Sequence, residues 1–147
     1  MQRQLIQLFA LLVLCSNSLA GPREEALGVV DKWAKAFVES DVDSIVKLYA
    51  PDALFFGTGS KTLVTTPEGI RTYFEQALLT NKPKSAVLGD HSVMVISDTT
   101  VVVTGLDAAG GVRDGKLYSA DGRVTFVVAK RGDGWQIVHF HRSAKPN

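Results

Sequence analysis

The chain has 147 residues, 46% of them hydrophobic and 21% charged, with thirteen Gly, five Pro and a single Cys. That makeup fits one globular domain with a core of its own, and excludes collagen-like, disordered and disulfide-framework proteins. Sixteen Lys and Arg stand against fifteen Asp and Glu with no block of like charge, so neither a nucleic-acid footprint nor a membrane-surface footprint is expected.

Residues 1–20 read as a secretory signal. Arg3 supplies the positive start, Leu5 to Leu14 is an almost unbroken apolar run, and Ser18-Leu19-Ala20 offers small residues for cleavage. The run is too short to span a bilayer, which takes about 20 residues. Cys15 would suit a lipid anchor, but bulky Leu14 precedes it where a small residue is wanted. Cleavage after Ala20 leaves a domain over 21–147 that lacks cysteine, so packing or association, and not a disulfide, must stabilise it in a secreted or periplasmic setting, with no membrane contact.

Along the remaining chain, Leu27, Val30, Ala34, Phe37 and Val38 recur at helical spacing beside Trp33 and predict a helix over 23–39. Asp41 reads as the cap of a short second helix carrying Ile45, Leu48 and Tyr49, stopped before Pro51. A short strand pair is expected at Ala53–Phe56 and Thr62–Thr65. Thr66-Pro67-Glu68 starts a third helix, with a hydroxyl cap, proline in the first turn and an acid at the positive dipole end. It presents Ile70, Tyr73, Phe74, Ala77 and Leu78 on one face. Four strands follow, at Ser85–Ile96, Thr99–Asp107, Lys116–Lys130 and Trp135–Ser143. Helices first and a meander after predict an α+β domain with helices over one face of an antiparallel sheet.

The turn Arg131-Gly132-Asp133-Gly134 sets the register of the last hairpin. It puts Lys130 opposite Trp135, Val128 opposite Ile137, Phe126 opposite His139 and Arg123 opposite Arg142. Two consequences follow from an unbroken ladder. Val124, Phe126, Val128, Trp135, Ile137, His139 and His141 would share the uncovered face, an apolar surface suited to a second copy of the chain. Arg123 and Arg142 would stand side by side within the helix-covered cavity, a pair tolerable if a carboxylate bridges them. Trp33, Tyr49, Tyr73 and Phe140 are candidates for the cavity lining, and each also reads as core.

The closing run Trp135-Gln136-Ile137-Val138-His139-Phe140-His141-Arg142-Ser143 resembles the last strand of the association (hub) domain of calcium/calmodulin-dependent protein kinase II. Arg71-Thr72-Tyr73-Phe74-Glu75 is similar to a run in its third helix, and Ser40 to Ala53 to the helix-to-strand passage of bacterial relatives. The likeness covers about residues 24–146. The wider group is the nuclear-transport-factor-2-like or SnoaL-like fold. The resemblance implies a cone-shaped curved sheet wrapped around helices, self-association as a homodimer or larger ring, and a pocket for a small anionic carboxylate with Arg142 among its arginines. Phe126 and Val102 or Val103 stand where the hub carries further arginines, which implies a less basic pocket. Kinase catalytic motifs are missing from the sequence.

Relatives of this fold also include isomerases, cyclases and oxidoreductase-type enzymes, which makes catalysis in the same cone the alternative to binding. Its base would be a carboxylate or His in the cavity. Asp52 is a candidate by position, though Asp there also suits a turn. His91 follows a Gly-Asp kink and is expected in solvent. His139 and His141 have metal-like spacing but no third ligand nearby in sequence, so neither metal nor cofactor is predicted. A purely structural assembly module is the third reading.

Overall fold

The computed structural model describes residues 20–146; the signal expected over residues 1–20 lies outside the described residues except for Ala20. Helix α1 (Pro22–Glu39) starts with proline in its first turn and buries Ala26, Val29, Val30, Trp33 and Ala36. It ends at Ser40, whose left-handed backbone (φ 57°) lets its N–H reach back to the carbonyls of Ala36 and Phe37. Helix α2 (Val42–Lys47) is capped by Asp41, whose carboxylate accepts from the Ser44 N–H at 3.0 Å and from its hydroxyl at 2.6 Å. These two bonds hold the Asp41 carboxyl below its ordinary value. Helix α2 stops earlier than expected, and Tyr49 and Pro51 belong to the strand that follows.

Strand β1 (Tyr49–Phe56) has no full hairpin partner: the expected strand at 62–65 contracts to one bridge between Phe55 and Val64. Helix α3 (Pro67–Asn81) begins as predicted, with the Thr66 hydroxyl accepting from the Gly69 N–H at 3.1 Å. Then come β2 (Pro83–Ser97), β3 (Thr100–Arg113), β4 (Lys116–Arg131) and β5 (Gly134–Ala144). The sheet order is β1-β5-β4-β3-β2. All pairings are antiparallel except β1 with β5, which is parallel. The sheet is curved and unclosed, with the helices inside the curve: an α+β cone, as expected.

The last hairpin departs from an unbroken ladder. From Arg131↔Gly134 to Val128↔Ile137 the partner numbers sum to 265; from Val127↔His139 onward they sum to 266. Val138 is the extra residue of a β-bulge. The bulge brings Phe126 and Phe140 onto the same face, paired across the ladder with ring centroids 5.0 Å apart, edge to face. An unbroken ladder would turn one of these rings outward and forfeit roughly 2 kcal/mol of burial. The faces of β4 are thus reversed from the sequence expectation. Val124, Phe126, Val128 and Ile137 are each no more than 3% exposed and lie in the core under the helices, so they do not belong to an outer interface. Trp135 packs half-buried against the same core. Of the seven residues expected outside, His139 and His141 lie there, beside Val127 and Thr125.

Candidate functional site

The inward faces of β3, β4 and β5, with α1 and α3, enclose a cavity of about 440 Å³. Trp33 anchors its apolar end. Its indole stacks on Phe37 at 5.1 Å and on Phe140 at 5.4 Å and meets Phe74 and Phe126 edge-on. The indole N–H donates to the Tyr49 hydroxyl at 3.0 Å, which gives each polar tip a partner inside the core. Burial pushes the Tyr49 phenol well above its ordinary value of 10.0. Tyr49 is therefore a core residue and not part of the cavity wall, because its hydroxyl is used by Trp33.

Arg142 enters the cavity because it stands two residues after the inward-facing Phe140 on β5. It pairs with Val124, on the inward face, whereas Arg123 pairs with Ser143 on the outer face. The expected side-by-side arginine pair does not form, and Arg123 instead donates from Nε to the Ser143 hydroxyl at 3.2 Å. Arg142 is fixed by three bonds from three elements. Nε donates to Asp107 Oδ2 at 2.6 Å, Nη1 to the Thr58 hydroxyl at 2.9 Å, and Nη2 to the Ala120 carbonyl at 2.9 Å. Two of the five guanidinium N–H groups are left without a partner among the described residues.

The slot for this guanidinium is made by Gly122. Asp107 pairs with Gly122 across β3 and β4, and a Cβ at Gly122 would collide with both the Asp107 carboxylate and the Arg142 guanidinium. Both charged side chains are 14% exposed. Asp107 Oδ1 is buried without a hydrogen-bond partner, which makes the ion pair with Arg142 its main electrostatic support.

Arg113 is the second cation of the lining, further along β3. It lies 4.7 Å above the Tyr118 ring and donates to the Asn81 side-chain carbonyl. No carboxylate among the described residues lies within ion-pair distance of it. The lining thus carries two guanidinium groups and one carboxylate, an excess of one positive charge.

Of the residues predicted for the site, the structure brings together Arg142, Tyr73, Trp33 and Phe140, and leaves out Arg123 and Tyr49. Tyr73 closes over the loop after β1: its hydroxyl lies 3.5 Å from the Gly59 N–H, and its ring occupies the space a side chain at Gly57 would need. Asp52 is exposed and faces Arg131 at 3.5 Å, away from the cavity. His91 is exposed, with Nδ1 2.7 Å from the Gly89 carbonyl. Among the described residues no three His, Cys, Asp or Glu side chains group as a metal site. Sequence reasoning missed Asp107, Arg113 and Thr58. Asp107 and Arg113 flank Ala108-Ala109-Gly110-Gly111-Val112, small residues that read as a turn but continue β3.

A family model described as a SnoaL-like domain matches residues 27–146. The fold is also that of a Xanthomonas campestris protein named for the calcium/calmodulin-dependent protein kinase II association domain. The two share 30% identity over 88% of this chain and 94% of the other, with a TM-score of 0.78. The S. rosetta hub of the same kinase is 27% identical over 86% of this chain and 99% of its own, with a TM-score of 0.72. A nuclear transport factor 2-like protein of Salmonella enterica, 19% identical over 85% of this chain and 92% of its own, shares the fold with a TM-score of 0.74. No protein of curated function matches the chain. With the matched model spanning most of its length and the helix-lined cone in place, the chain belongs to the SnoaL-like domain family, in the nuclear transport factor 2-like fold.

Proposed function

We propose that this protein is an exported, self-associating domain that binds a small carboxylate in its cone. The observation that carries the reading is the charge of the cavity. An aromatic end suited to an apolar body is combined with two guanidinium groups and one carboxylate, which leaves one positive charge for a ligand to neutralise. A thermal-shift panel of monocarboxylates, each paired with its neutral alcohol, tests this. The acids should raise the melting temperature and the alcohols should not. If no acid stabilises the wild-type chain, the reading is wrong.

Self-association is assigned to the outer sheet face. Across all five strands, Leu54, His139, Val127, Val102 and Met94 form one register row on that face. Leu54 is 43% and Met94 62% exposed, so the row offers apolar area to a second sheet. The names of the association-domain and hub neighbours are in keeping with this. A Val102→Lys variant that sediments as a monomer beside an oligomeric wild type supports the assignment; a wild type that is monomeric at micromolar concentration removes it.

Asp107 is the observation that favours a second reading, acid–base catalysis in an isomerase- or cyclase-type enzyme. It is the one carboxylate in the lining. Its Oδ2 is committed to Arg142 and its Oδ1 is shielded from solvent, and a general base must reach its substrate within hydrogen-bond distance. Binding is therefore the better-supported function.

A further inference from the structure

The cavity does not end at its aromatic chamber. Thr80 and Arg113 line both this chamber and a second hollow of about 430 Å³, where Lys82, Lys84 and Asp114 join them; the exposure of these charged residues makes this hollow the outer end, or mouth. The charge is distributed unevenly between the two. In the chamber the Arg142 guanidinium is neutralised by Asp107 at 2.6 Å. At the mouth three cations face one acid, and among the described residues Arg113 has only the neutral Asn81 amide and the Tyr118 ring as partners.

We infer that the anion seat lies at the mouth, on Arg113 flanked by Lys82 and Lys84, and that the Arg142–Asp107 pair is a neutral clamp deeper in the cone. This rests on the reading that the cone binds an acid, and it specifies which acids. The ligand is an amphipathic monoanion with its charged end outward and its apolar body against Trp33. A guanidinium already paired with a carboxylate has little net field to offer a second one, and an anion pushed past it would also approach Asp107. An unpaired guanidinium fixed by an aromatic face and an amide is pre-organised for bidentate carboxylate binding. Register gives the spacing. Arg142 bonds the Ala120 carbonyl, whereas Arg113 covers Tyr118, two residues earlier in β4 and about 7 Å away. An inner neutral oxygen on the ligand can therefore accept from the spare Arg142 N–H groups while the carboxylate stays at the mouth.

The test is isothermal titration of the whole domain with 4-phenylbutyrate, with its alcohol 4-phenylbutanol, and with adipate, which is charged at both ends. Arg113→Gln should weaken 4-phenylbutyrate about tenfold, the loss expected for a charge-assisted hydrogen bond, and leave the alcohol unchanged. Lys82→Gln/Lys84→Gln should weaken it less and flatten its salt dependence. Adipate should bind worse than 4-phenylbutyrate. Arg113 is exposed, so its variant should fold, which circular dichroism checks. If Arg113→Gln binds the acid like wild type while Arg142→Lys abolishes binding, the seat is at Arg142 and this inference fails, though the carboxylate reading stands. If wild type binds no acid at all, both fail.

Discussion

Arg142 and Asp107, 35 residues apart in sequence, meet at 2.6 Å across β4, through the space left by the absent side chain of Gly122. Each is largely withdrawn from water, and the second Asp107 oxygen has no other partner. Removing one partner of such a pair leaves a charge uncompensated in a poorly solvated place. Arg142→Ala and Asp107→Ala should each cost about 3 kcal/mol in urea unfolding. Replacing both, as Asp107→Leu/Arg142→Met, should recover most of that loss, because an apolar pair asks for no compensation. Two single losses that simply add in the double variant would show that the contact contributes nothing.

Gly122→Ala tests the same contact from the backbone side. The position has an ordinary φ, so strain is not at issue; the methyl group would occupy the place of the guanidinium. Overpacking of this kind costs about 1–3 kcal/mol, and here it should also displace Arg142 from Asp107. Gly134→Ala, where nothing lies within 4 Å of the added methyl, is the control and should stay close to wild type. Equal melting temperatures for the two variants would contradict the packing argument.

Local signals carried the helices well. The Asp41 and Thr66 caps both bond the N–H three residues on, because a cap is set by adjacent residues alone. The register of β4 and β5 held for four pairs beyond the turn and then slipped at Val138. The slip is decided by the demand that Phe126 and Phe140 share one core, a tertiary requirement invisible to a count outward from a turn. One added residue reversed the faces, and with them the side to which Arg123 points. Asp107 stayed hidden for a related reason: the small residues after it serve close packing around the cavity, and in sequence small residues look like a turn. Arg142 was legible because it is the only cation between the turn and Ser143 in the closing strand.

Tyr49 offers a test of the core through pH. Its phenol is raised well above 10.0 in the folded chain by burial, against an ordinary value once unfolded. The folded state therefore keeps its proton where the unfolded state loses it. Stability from this group is intact below pH 10 and falls as pH rises beyond it, by at most about 1.4 kcal/mol per pH unit. Tyr49→Phe should abolish that component of alkaline unfolding. It should also lower stability at pH 7 by about 1–3 kcal/mol, because the Trp33 N–H loses its only acceptor in the core. If the variant's stability falls as steeply above pH 10 as wild type does, another group governs the alkaline limb.

His139 gives the opposite sign at the acid end and on the opposite face of the sheet. Burial, and then the neighbouring His141, hold its imidazole below the ordinary 6.5. A depressed base binds its proton more weakly folded than unfolded. Its contribution is therefore present above pH 6.5 and lost as pH falls through the folded value. His139 sits in the apolar row between Leu54 and Val127, so the same protonation puts a charge in the middle of the surface assigned to self-association. Acidification from pH 7.5 to 5.5 should shift sedimentation toward the monomer in wild type. His139→Phe should hold its assembly across that range. Dissociation that is identical in the two chains would place the pH-sensitive contact elsewhere than this row.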